Sequence, residues 1–386
     1  MKTALTNAHV FTGEEWLDGA TVIIDGAVID AVGVSIKIPD DVDRIQDLNG
    51  AKLVPGFIDV QVNGGGGVMF NQDTSPVGLR CIAQAHRRYG TTGMLPTLIT
   101  DDRPIMESAI SAVQETVDNN EPGILGIHLE GPYLNQVRKG VHQEDKIRPM
   151  ESDALDLLSG LTGGKTLVTL APEKNTPGTI QQLVERGVLV AAGHTAGVYD
   201  DYQAAFSEGL SCFTHLFNAM TPMDSREPGA VGAALDHDDS WCGLIVDGYH
   251  VHPATLRNAI KAKKHGKMML VTDAMATVGS DQGFFELYGQ KIYSREGRCT
   301  TAEGVLAGAH LDMATAVRNS VEMLNLSHDE ALRMASLYPA EFLGLGNELG
   351  RIEKGYRASM ASLDDSGLVL ETWIDGRDTE MDGLKT

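Results

Sequence analysis

The stretch Val188–Phe217, VLVAAGHTAGVYDDYQAAFSEGLSCFTHLF, decides the fold class of this 386-residue chain. Short apolar runs at Val188–Ala192 and Cys212–Leu216 have the composition of buried strands, and helix-spaced apolar residues occupy Val198–Glu208 between them. A helix between two such strands predicts a parallel βαβ unit. His194 lies just after the first run, and His215 lies near the end of the second. Functional side chains are therefore expected at the ends of these strands.

The same alternation extends through the middle of the chain. The further strand-like runs are Leu53–Val62, Met94–Ile99, Ile124–Leu129, Thr166–Leu170, Cys242–Val246 and Lys267–Thr272. Helical patterns separate them, as at Arg103–Val117, Thr179–Arg186 and Pro253–Lys264. About eight parallel strands over roughly 290 residues predict an α/β protein with a (β/α)8 TIM-like barrel. A doubly wound open sheet is the alternative, but no G-x-G-x-x-G sequence follows an early strand.

Both ends of the chain have the pattern of β structure. Ala20–Ile24 and Ala27–Val32 flank Asp25-Gly26, a pair that can form a type I′ hairpin turn. Ser359–Leu363 and Leu368–Ile374 form a similar pair near the other end. Each end is too short to bury a core of its own, so the two are expected to pair with each other.

This pairing predicts two domains. Residues 1–52 and 347–386 are expected to form a small β-sandwich domain, and residues 53–346 are expected to form the barrel. The turn signal Asp375-Gly376 lies within the second of the two terminal segments.

Composition excludes several classes of partner. The chain has 53 acidic and 31 basic residues and a formal net charge of −22, which disfavours nucleic acids and anionic membranes. No signal-peptide core and no run of ~18 apolar residues occur, so a cytoplasmic protein is expected. Four cysteines lie far apart without a C-x-x-C pair and are expected to be buried thiols: Cys81, Cys212, Cys242 and Cys299.

Polar residues gather at the ends of the predicted barrel strands, where TIM-barrel enzymes carry their chemistry. Glu130, His194 and His215 end three different strands and would form a three-ligand catalytic metal site. Each residue alone is more often a hydrogen-bonded structural group, but their joint placement favours the metal. Asp273 ends the last strand and, rather than only capping a turn, would be the general base beside that metal.

Four weaker candidates accompany these residues. His128 lies two residues before Glu130 on the same strand face, which favours an interior structural histidine over a ligand. His250 is expected to contact substrate, whereas His252 precedes Pro253 and no role is expected for it. Arg226 lies in a loop and is a candidate phosphate clamp, with a surface ion pair as the alternative.

Several motifs in this order resemble the N-acetylglucosamine-6-phosphate deacetylase family of the amidohydrolase superfamily. The motifs are Pro55–Asp59, His128–Pro132, Ala192–Thr195, Thr214–Met220, Arg226–Gly229, Asp247–His250 and Val271–Ala274. The resemblance covers essentially the whole chain. It implies hydrolysis of N-acetylglucosamine 6-phosphate to glucosamine 6-phosphate and acetate, in amino-sugar catabolism and cell-wall recycling.

The resemblance also implies roles for individual residues. Glu130, His194 and His215 would bind one divalent metal, Zn²⁺ with Fe²⁺ as the alternative, and Asp273 would be the catalytic acid and base. His142 would stand beside the acetamide carbonyl. The family would further imply a homodimer in which Arg226 crosses the interface. The remaining substrate contacts implied by the family are Val141, Asn218, Ala219, His250, Leu306, Ala307 and Gly308.

One departure from the superfamily concerns the first barrel strand. Most amidohydrolases carry H-x-H there for a second metal, whereas this chain has Gln61-Val62-Asn63. Neutral amides are poor transition-metal ligands, which favours a single metal. Gln61 and Asn63 are expected to bond the nucleophilic water or the sugar instead.

Three alternative functions remain open from the sequence. The substrate could be N-acetylgalactosamine 6-phosphate or an N-acyl amino acid. A non-catalytic scaffold is a different class, which the joint presence of Glu130, His194, His215 and Asp273 disfavours.

Overall fold

The computed structural model describes residues 1–379 of the chain. Its strands are β1 (Lys2–Phe11), β2 (Trp16–Asp25), β3 (Val28–Val34), β4 (Arg44–Asp47), β5 (Lys52–Pro55), β6 (Phe57–Val62), β7 (Gly64–Gly65), β8 (Val68–Met69), β9 (Thr91–Ile99), β10 (Gly126–Glu130), β11 (Lys165–Leu170), β12 (Leu189–Ala192), β13 (Cys212–Phe213), β14 (Trp241–Leu244), β15 (Met268–Leu270), β16 (Phe284–Leu287), β17 (Gln290–Arg295), β18 (Arg298–Thr300), β19 (Leu306–Ala309), β20 (Met360–Leu363) and β21 (Val369–Trp373). Its α-helices are α1 (Pro76–Arg87), α2 (Arg103–Asp118), α3 (Ala154–Leu158), α4 (Thr179–Glu185), α5 (Tyr199–Ser207), α6 (Gly229–Asp236), α7 (Pro253–Ala262), α8 (Met313–Leu324), α9 (His328–Ala335) and α10 (Leu337–Phe342).

Eight parallel strands form the barrel, in the order β6-β9-β10-β11-β12-β13-β14-β15. The ring closes where Val62 bridges Ala274 and where the Asp273 N–H donates to the Gln61 carbonyl at 3.0 Å. Every residue of β6, β9 and β10 is buried, because one strand face fills the barrel and the other packs on helices. The predicted (β/α)8 barrel is confirmed.

Strands from both chain ends form the small β domain, as predicted. One hydrogen-bonded sheet runs in the order β21-β20-β5-β1-β2-β3, with β4 also pairing with β1. The predicted strand Leu53–Val62 divides at Gly56, so that its first half, β5, pairs with β1 and β20 while β6 enters the barrel. The division into residues 1–52 plus 347–386 and residues 53–346 stays a prediction, and residues 380–386 lie outside the described part.

The two Asp-Gly turns of this domain behave differently. Asp375 and Gly376 have φ of 49° and 76° between residues paired at Ile374 and Arg377, which is the type I′ pattern. Asp25 instead pairs with Val28, so the first loop is Gly26 and Ala27, and only Gly26 has a positive φ. The expectation of a type I′ turn at Asp25-Gly26 was therefore wrong, because pairing between the strands continues through Asp25.

An antiparallel sheet of four strands, β16–β19, follows the last barrel strand and was not predicted. Its buried side packs an apolar cluster onto the mouth of the barrel, including Met69, Ile99 and Met275. The sheet is fastened there by the Tyr288 hydroxyl, which donates to the Thr100 carbonyl at 2.7 Å.

Two simpler expectations concern cysteines and membrane spans. All four cysteines are free, and three of them are buried while Cys81 is partly exposed. Among residues 1–379, no helix combines the length and apolar character needed to cross a bilayer.

Candidate active site

Three side chains meet at the carboxyl ends of barrel strands β10, β12 and β13. Glu130 is the last residue of β10, and His194 and His215 each lie two residues beyond the end of their strand. Glu130 Oε1 lies 3.1 Å from His194 Nε2 and 2.9 Å from His215 Nε2, and the two nitrogens are 3.1 Å apart. All three residues are buried. The described residues contain one such group of potential metal ligands.

The hydrogen bond at Nδ1 of His194 leaves Nε2 available to bind a cation. Its Nδ1 lies 2.9 Å from the Arg138 carbonyl oxygen, which can only accept, so Nδ1 carries the proton. In the neutral ring, Nε2 then presents a lone pair to the Glu130 carboxylate. Atoms that share one tetrahedral zinc stand roughly 3.3–3.5 Å apart when each is ~2.0–2.2 Å from the ion. The observed separations are close to this spacing, and two imidazoles with one carboxylate form a transition-metal donor set.

Three site residues have left-handed backbones. The φ angles are 48° at His194, 34° at His215 and 51° at Asp273, a region that costs a residue with a β-carbon about 1–3 kcal/mol. The chain turns sharply there as it leaves each strand. Backbone strain therefore accompanies the placement of these side chains at the barrel mouth.

The Asp273 carboxylate lies beside the candidate metal group. Its Oδ1 accepts from Asn63 Nδ2 at 2.6 Å and from Gln61 Nε2 at 3.2 Å. Burial, and then the charge of Glu130, raise the pKa of Asp273. A carboxyl group with a raised pKa holds a proton more readily than an ordinary aspartate, which suits a group that accepts and returns a proton.

Gln61 lies in β6, the first barrel strand, and Asn63 directly follows that strand. Gln61 Nε2 also donates to Glu130 Oε2 at 3.3 Å, so its amide joins the two carboxylates. Asn63 Oδ1 is buried and has no hydrogen-bond partner among residues 1–379. The Gln61 amide N–H groups therefore lie between the two carboxylates, and Asn63 Oδ1 is left to accept a bond. Their expected contact with water or sugar stays a prediction.

His142 lies against the metal group on the loop after β10. Its ring centroid is 4.3 Å from that of His194. The Thr100 backbone N–H donates to His142 Nδ1 at 3.3 Å, and the Thr100 hydroxyl lies 2.7 Å from the same nitrogen. Burial, and then the neighbouring His194, hold the pKa of His142 well below its usual range. His142 is thus a neutral ring with its proton on Nε2, which leaves Nε2–H as a hydrogen-bond donor.

His250 is fixed by Asp247, which precedes it in the loop after β14. Asp247 Oδ2 lies 2.6 Å from His250 Nδ1, and Asp247 Oδ1 accepts the His250 backbone N–H at 2.9 Å. Burial opposes ionisation of Asp247, but the bond from His250 holds the pKa of Asp247 below its usual value. His252 is exposed and its ring accepts from the Ala254 N–H at the start of α7.

The other predicted substrate contacts surround this centre at the barrel mouth. Asn218 Nδ2 donates to the His215 carbonyl at 3.1 Å, and the Ala219 carbonyl accepts from Thr195 at 3.1 Å. Leu306, Ala307 and Gly308 lie on β19, whose Ala309 N–H donates to the Asp273 carbonyl at 2.9 Å. Val141 packs on the apolar cluster under this sheet. Their contact with substrate stays a prediction.

Arg226 lies apart from this cluster. It is exposed on a turn that the Asp224 N–H closes by donating to the Glu227 carbonyl at 2.9 Å. Among residues 1–379 it has no ion pair or hydrogen bond. A surface ion pair, the alternative role, is therefore not formed within the described chain.

His128 is the interior histidine that the strand pattern predicted. It is buried, with Nε2 2.7 Å from the Thr169 hydroxyl and Nδ1 3.3 Å from the Thr97 hydroxyl. Burial lowers the pKa of His128 to about 4, so the ring is neutral.

Sequence reasoning missed three residues that orient the site. Thr100 orients His142, Asp247 orients His250, and Glu173 accepts from the Thr195 hydroxyl at 2.6 Å and from the Ala196 N–H at 2.7 Å, next to His194. A signal existed for Asp247 and Glu173, because Asp247 directly follows a strand-like run and Glu173 lies three residues after the end of another. Thr100 offered none, since its contact depends on a residue 42 positions away.

Comparison with known proteins places the chain in a family. The model of the amidohydrolase family matches residues 53–379, and that of the NagA composite domain matches residues 3–53. The chain belongs to the amidohydrolase family. One amidohydrolase relative is the N-acetylgalactosamine-6-phosphate deacetylase of Shewanella sp. (strain ANA-3), 44% identical over 85% of this chain and 83% of the relative. Another is the N-acetylglucosamine-6-phosphate deacetylase of Haemophilus influenzae, 38% identical over 98% and 99%.

A solved amidohydrolase structure is equally similar. The N-acetylglucosamine-6-phosphate deacetylase from Pasteurella multocida superposes with a TM-score of 0.94 and 38% identity, covering 98% of this chain and 99% of that one. The resemblance recognised from the motifs is confirmed.

Proposed function

We propose that this chain is a deacetylase that hydrolyses N-acetylglucosamine 6-phosphate to glucosamine 6-phosphate and acetate. The observation that carries the proposal is the position of Asp273 beside the group formed by Glu130, His194 and His215, with His142 against the same group. Relatives at 38% identity over nearly the full chain carry that activity in their names.

One divalent ion, Zn²⁺ or Fe²⁺, would be held by Glu130, His194 and His215 in each subunit. When bound, such an ion polarises the amide carbonyl and lowers the pKa of water from ~15.7 towards ~7. The residues of the chain supply the remaining steps. Asp273 accepts a proton from the attacking water and delivers it to the departing nitrogen, so that the C–N bond breaks as acetate forms.

His142 supplies a hydrogen bond to the acetamide oxygen. Its neutral ring presents Nε2–H, because Nδ1 is occupied by the Thr100 N–H. That donor would stabilise the negative charge that develops on the oxygen as the water adds. The free Oδ1 of Asn63 would accept from the water or from a sugar hydroxyl.

Replacing His142 with leucine should lower kcat by roughly 10²–10³-fold, because one donor to the developing oxyanion is lost. Metal content should not change, since His142 is not among the proposed ligands. The control is His252→Leu, which alters an exposed histidine outside the site. A loss confined to KM would assign His142 to binding rather than to catalysis.

Acetate release from N-acetylglucosamine 6-phosphate, with and without a chelator, tests the proposed function. Release that the chelator abolishes and added Zn²⁺ or Fe²⁺ restores is expected. N-Acetyl amino acids should be poor substrates, because they lack the phosphate. Release from an N-acetyl amino acid alone would contradict the proposal.

N-Acetylgalactosamine 6-phosphate is the second candidate substrate. The observation that favours it is the 44% identity to the Shewanella relative, whose name specifies that sugar. The two sugars differ only in configuration at one ring carbon, and the acetamide and phosphate are the same. The ratio of kcat/KM for the two sugars decides between them, and a ratio above ~10 in either direction corresponds to at least 1.4 kcal/mol of discrimination.

We further propose that the enzyme is a homodimer in which Arg226 reaches the active site of the partner. The support is its exposed side chain, which has no ion pair within residues 1–379. The location in the cytoplasm stays a prediction from composition.

Arg226→Ala should raise KM for the phosphorylated sugar by roughly 10–100-fold, the scale of a lost charged hydrogen bond. KM for unphosphorylated N-acetylglucosamine should change little, because that sugar presents no dianion. Mixing Arg226→Ala chains with inactive Asp273→Asn chains should alter activity through mixed dimers if the arginine crosses the interface. Equal losses on both sugars would make Arg226 structural.

A further inference from the structure

Asp59 is a fully buried carboxyl group that the proposed mechanism does not use. It lies on β6 and has no exposed surface. Oδ1 accepts the backbone N–H of Gln61 at 3.1 Å and that of Thr272 at 3.3 Å, and Oδ2 accepts the Thr272 hydroxyl at 2.5 Å. Within residues 1–379 no cationic side chain pairs with it. Its partners are therefore all neutral donors.

These bonds lie where the barrel closes between its first and last strands. The pairing of β6 with β9 shifts between Asp59 and Val62, so the regular ladder is interrupted there. The last strand, β15, ends at Leu270, two residues before Thr272. Asp59 therefore accepts two backbone N–H groups at the junction of the first and last barrel strands. Gln61 on β6 donates one, and Thr272, just beyond β15, donates the other. Regular strand pairing is interrupted on β6 at this place.

Further hydrogen bonds connect Thr272 and Gln61 to the backbone on either side of Asp273. The Thr272 hydroxyl oxygen accepts the Ala274 N–H at 3.2 Å, and the Asp273 N–H itself donates to the Gln61 carbonyl at 3.0 Å. Three consecutive N–H groups, of Thr272, Asp273 and Ala274, are thus fixed by Asp59, Gln61 and Thr272. The residue in the middle is the one with a φ of 51°.

Burial of a carboxyl group without a cationic partner is energetically unfavourable. Burial raises the pKa of Asp59 to about 7. Removal from water disfavours a charge that no opposite charge offsets, and only hydrogen bonds compensate. A carboxylate accepts several donors at once, and here it accepts three.

We propose that Asp59 and Thr272 are positioning residues that hold Asp273 in its left-handed conformation, with its carboxylate against Asn63 and Gln61. The inference rests on the proposed function, which makes Asp273 the proton carrier. Asp59 and Thr272 themselves touch neither substrate nor metal ligands in this assignment. They affect the rate of proton transfer only indirectly, because they fix the position of the Asp273 carboxylate.

Thr272→Val tests this role, because valine keeps the branched shape and removes only the hydroxyl. We expect kcat to fall by roughly 10–100-fold, the scale of a misplaced catalytic group, with KM and metal content unchanged. Thr272→Ser should restore most of the rate, since it returns the hydroxyl. The matched control is Thr116→Val, which removes the hydroxyl of another fully buried threonine, on α2.

A double-mutant cycle separates positioning from a general loss of structure. In an Asp273→Asn background, Thr272→Val should change kcat by less than about 2-fold, because the group it positions is already disabled. Asp59→Asn should give the same non-additive pattern. If Asp59→Asn fails to fold, Thr272→Val decides alone. Wild-type kcat in Thr272→Val, or a loss that persists in full beside Asp273→Asn, would overturn the proposal.

A crystal structure of Thr272→Val gives a readout that needs no substrate. We expect the Asp273 carboxylate to leave its contact with Asn63, and an unmoved carboxylate would overturn the inference. Absence of acetate release from the wild-type enzyme would instead overturn the proposed function. The two failures are thus distinguishable.

Discussion

Asp273→Asn is expected to reduce acetate release by roughly 10²–10⁴-fold, the usual scale for loss of a general acid and base. Asparagine keeps the size of the side chain but cannot take a proton from water. It also turns an acceptor into a donor or a weaker acceptor opposite Asn63 Nδ2, which lies 2.6 Å from Oδ1. Single-turnover and steady-state acetate assays on enzyme with measured metal content give the result.

The control for Asp273→Asn is the same substitution at Asp375. The partly buried Asp375 carboxylate pairs with Arg357 at 2.7 Å in the small β domain. Its loss measures the general effect of removing a carboxylate charge far from the site. The melting temperature of both variants should be recorded. Near-wild-type turnover in a fully metal-loaded Asp273→Asn enzyme would remove Asp273 from the mechanism.

His194→Gln is expected to remove metal and activity together. The substitution removes the imidazole Nε2, which lies 3.1 Å from both Glu130 Oε1 and His215 Nε2. Loss of the ion forfeits several kcal/mol of charge stabilisation, and kcat/KM should therefore fall by roughly 10³-fold or more. Elemental analysis of dialysed protein is the measurement. His252→Gln is the control, because it makes the same change in an exposed ring.

The wild-type enzyme should bind close to one ion per chain in the same measurement. A second ion would need strong donors at the end of β6, where Gln61 and Asn63 instead direct amide N–H groups at carboxylates. Close to two tightly bound ions per chain, with anomalous density between Gln61 and Asn63, would contradict the single-metal site.

Local sequence was sufficient for the barrel and for the candidate metal ligands. The strand and helix periods alternate along the chain, and each strand end carries its polar residue within a few positions of the apolar run. Parallel strands of a barrel all end at one face, so residues such as Glu130 and His215, 85 positions apart, must approach each other. Their meeting follows from the fold class without any knowledge of packing.

Sequence patterns predicted turns and additional strands less well, because hydrogen bonds between strands determine where these begin and end. Asp25-Gly26 and Asp375-Gly376 have the same turn signal, but the first turn shifted by one residue because strand pairing continued through Asp25. The sheet β16–β19 was missed because its strands are short and its apolar side packs on the barrel mouth rather than on itself.

The orientation of the site depended on contacts that no local pattern encodes. Asp59 and Thr272 are 213 positions apart, and Thr100 and His142 are 42 apart, but each pair shares a hydrogen bond between buried groups. Inside a protein every buried donor and acceptor must find a partner, and the nearest one in space is set by how the strands close and the loops cross. The candidate catalytic residues could therefore be identified from their positions along the chain. The hydrogen bonds that orient their side chains are determined only by the closed barrel, which brings distant residues together.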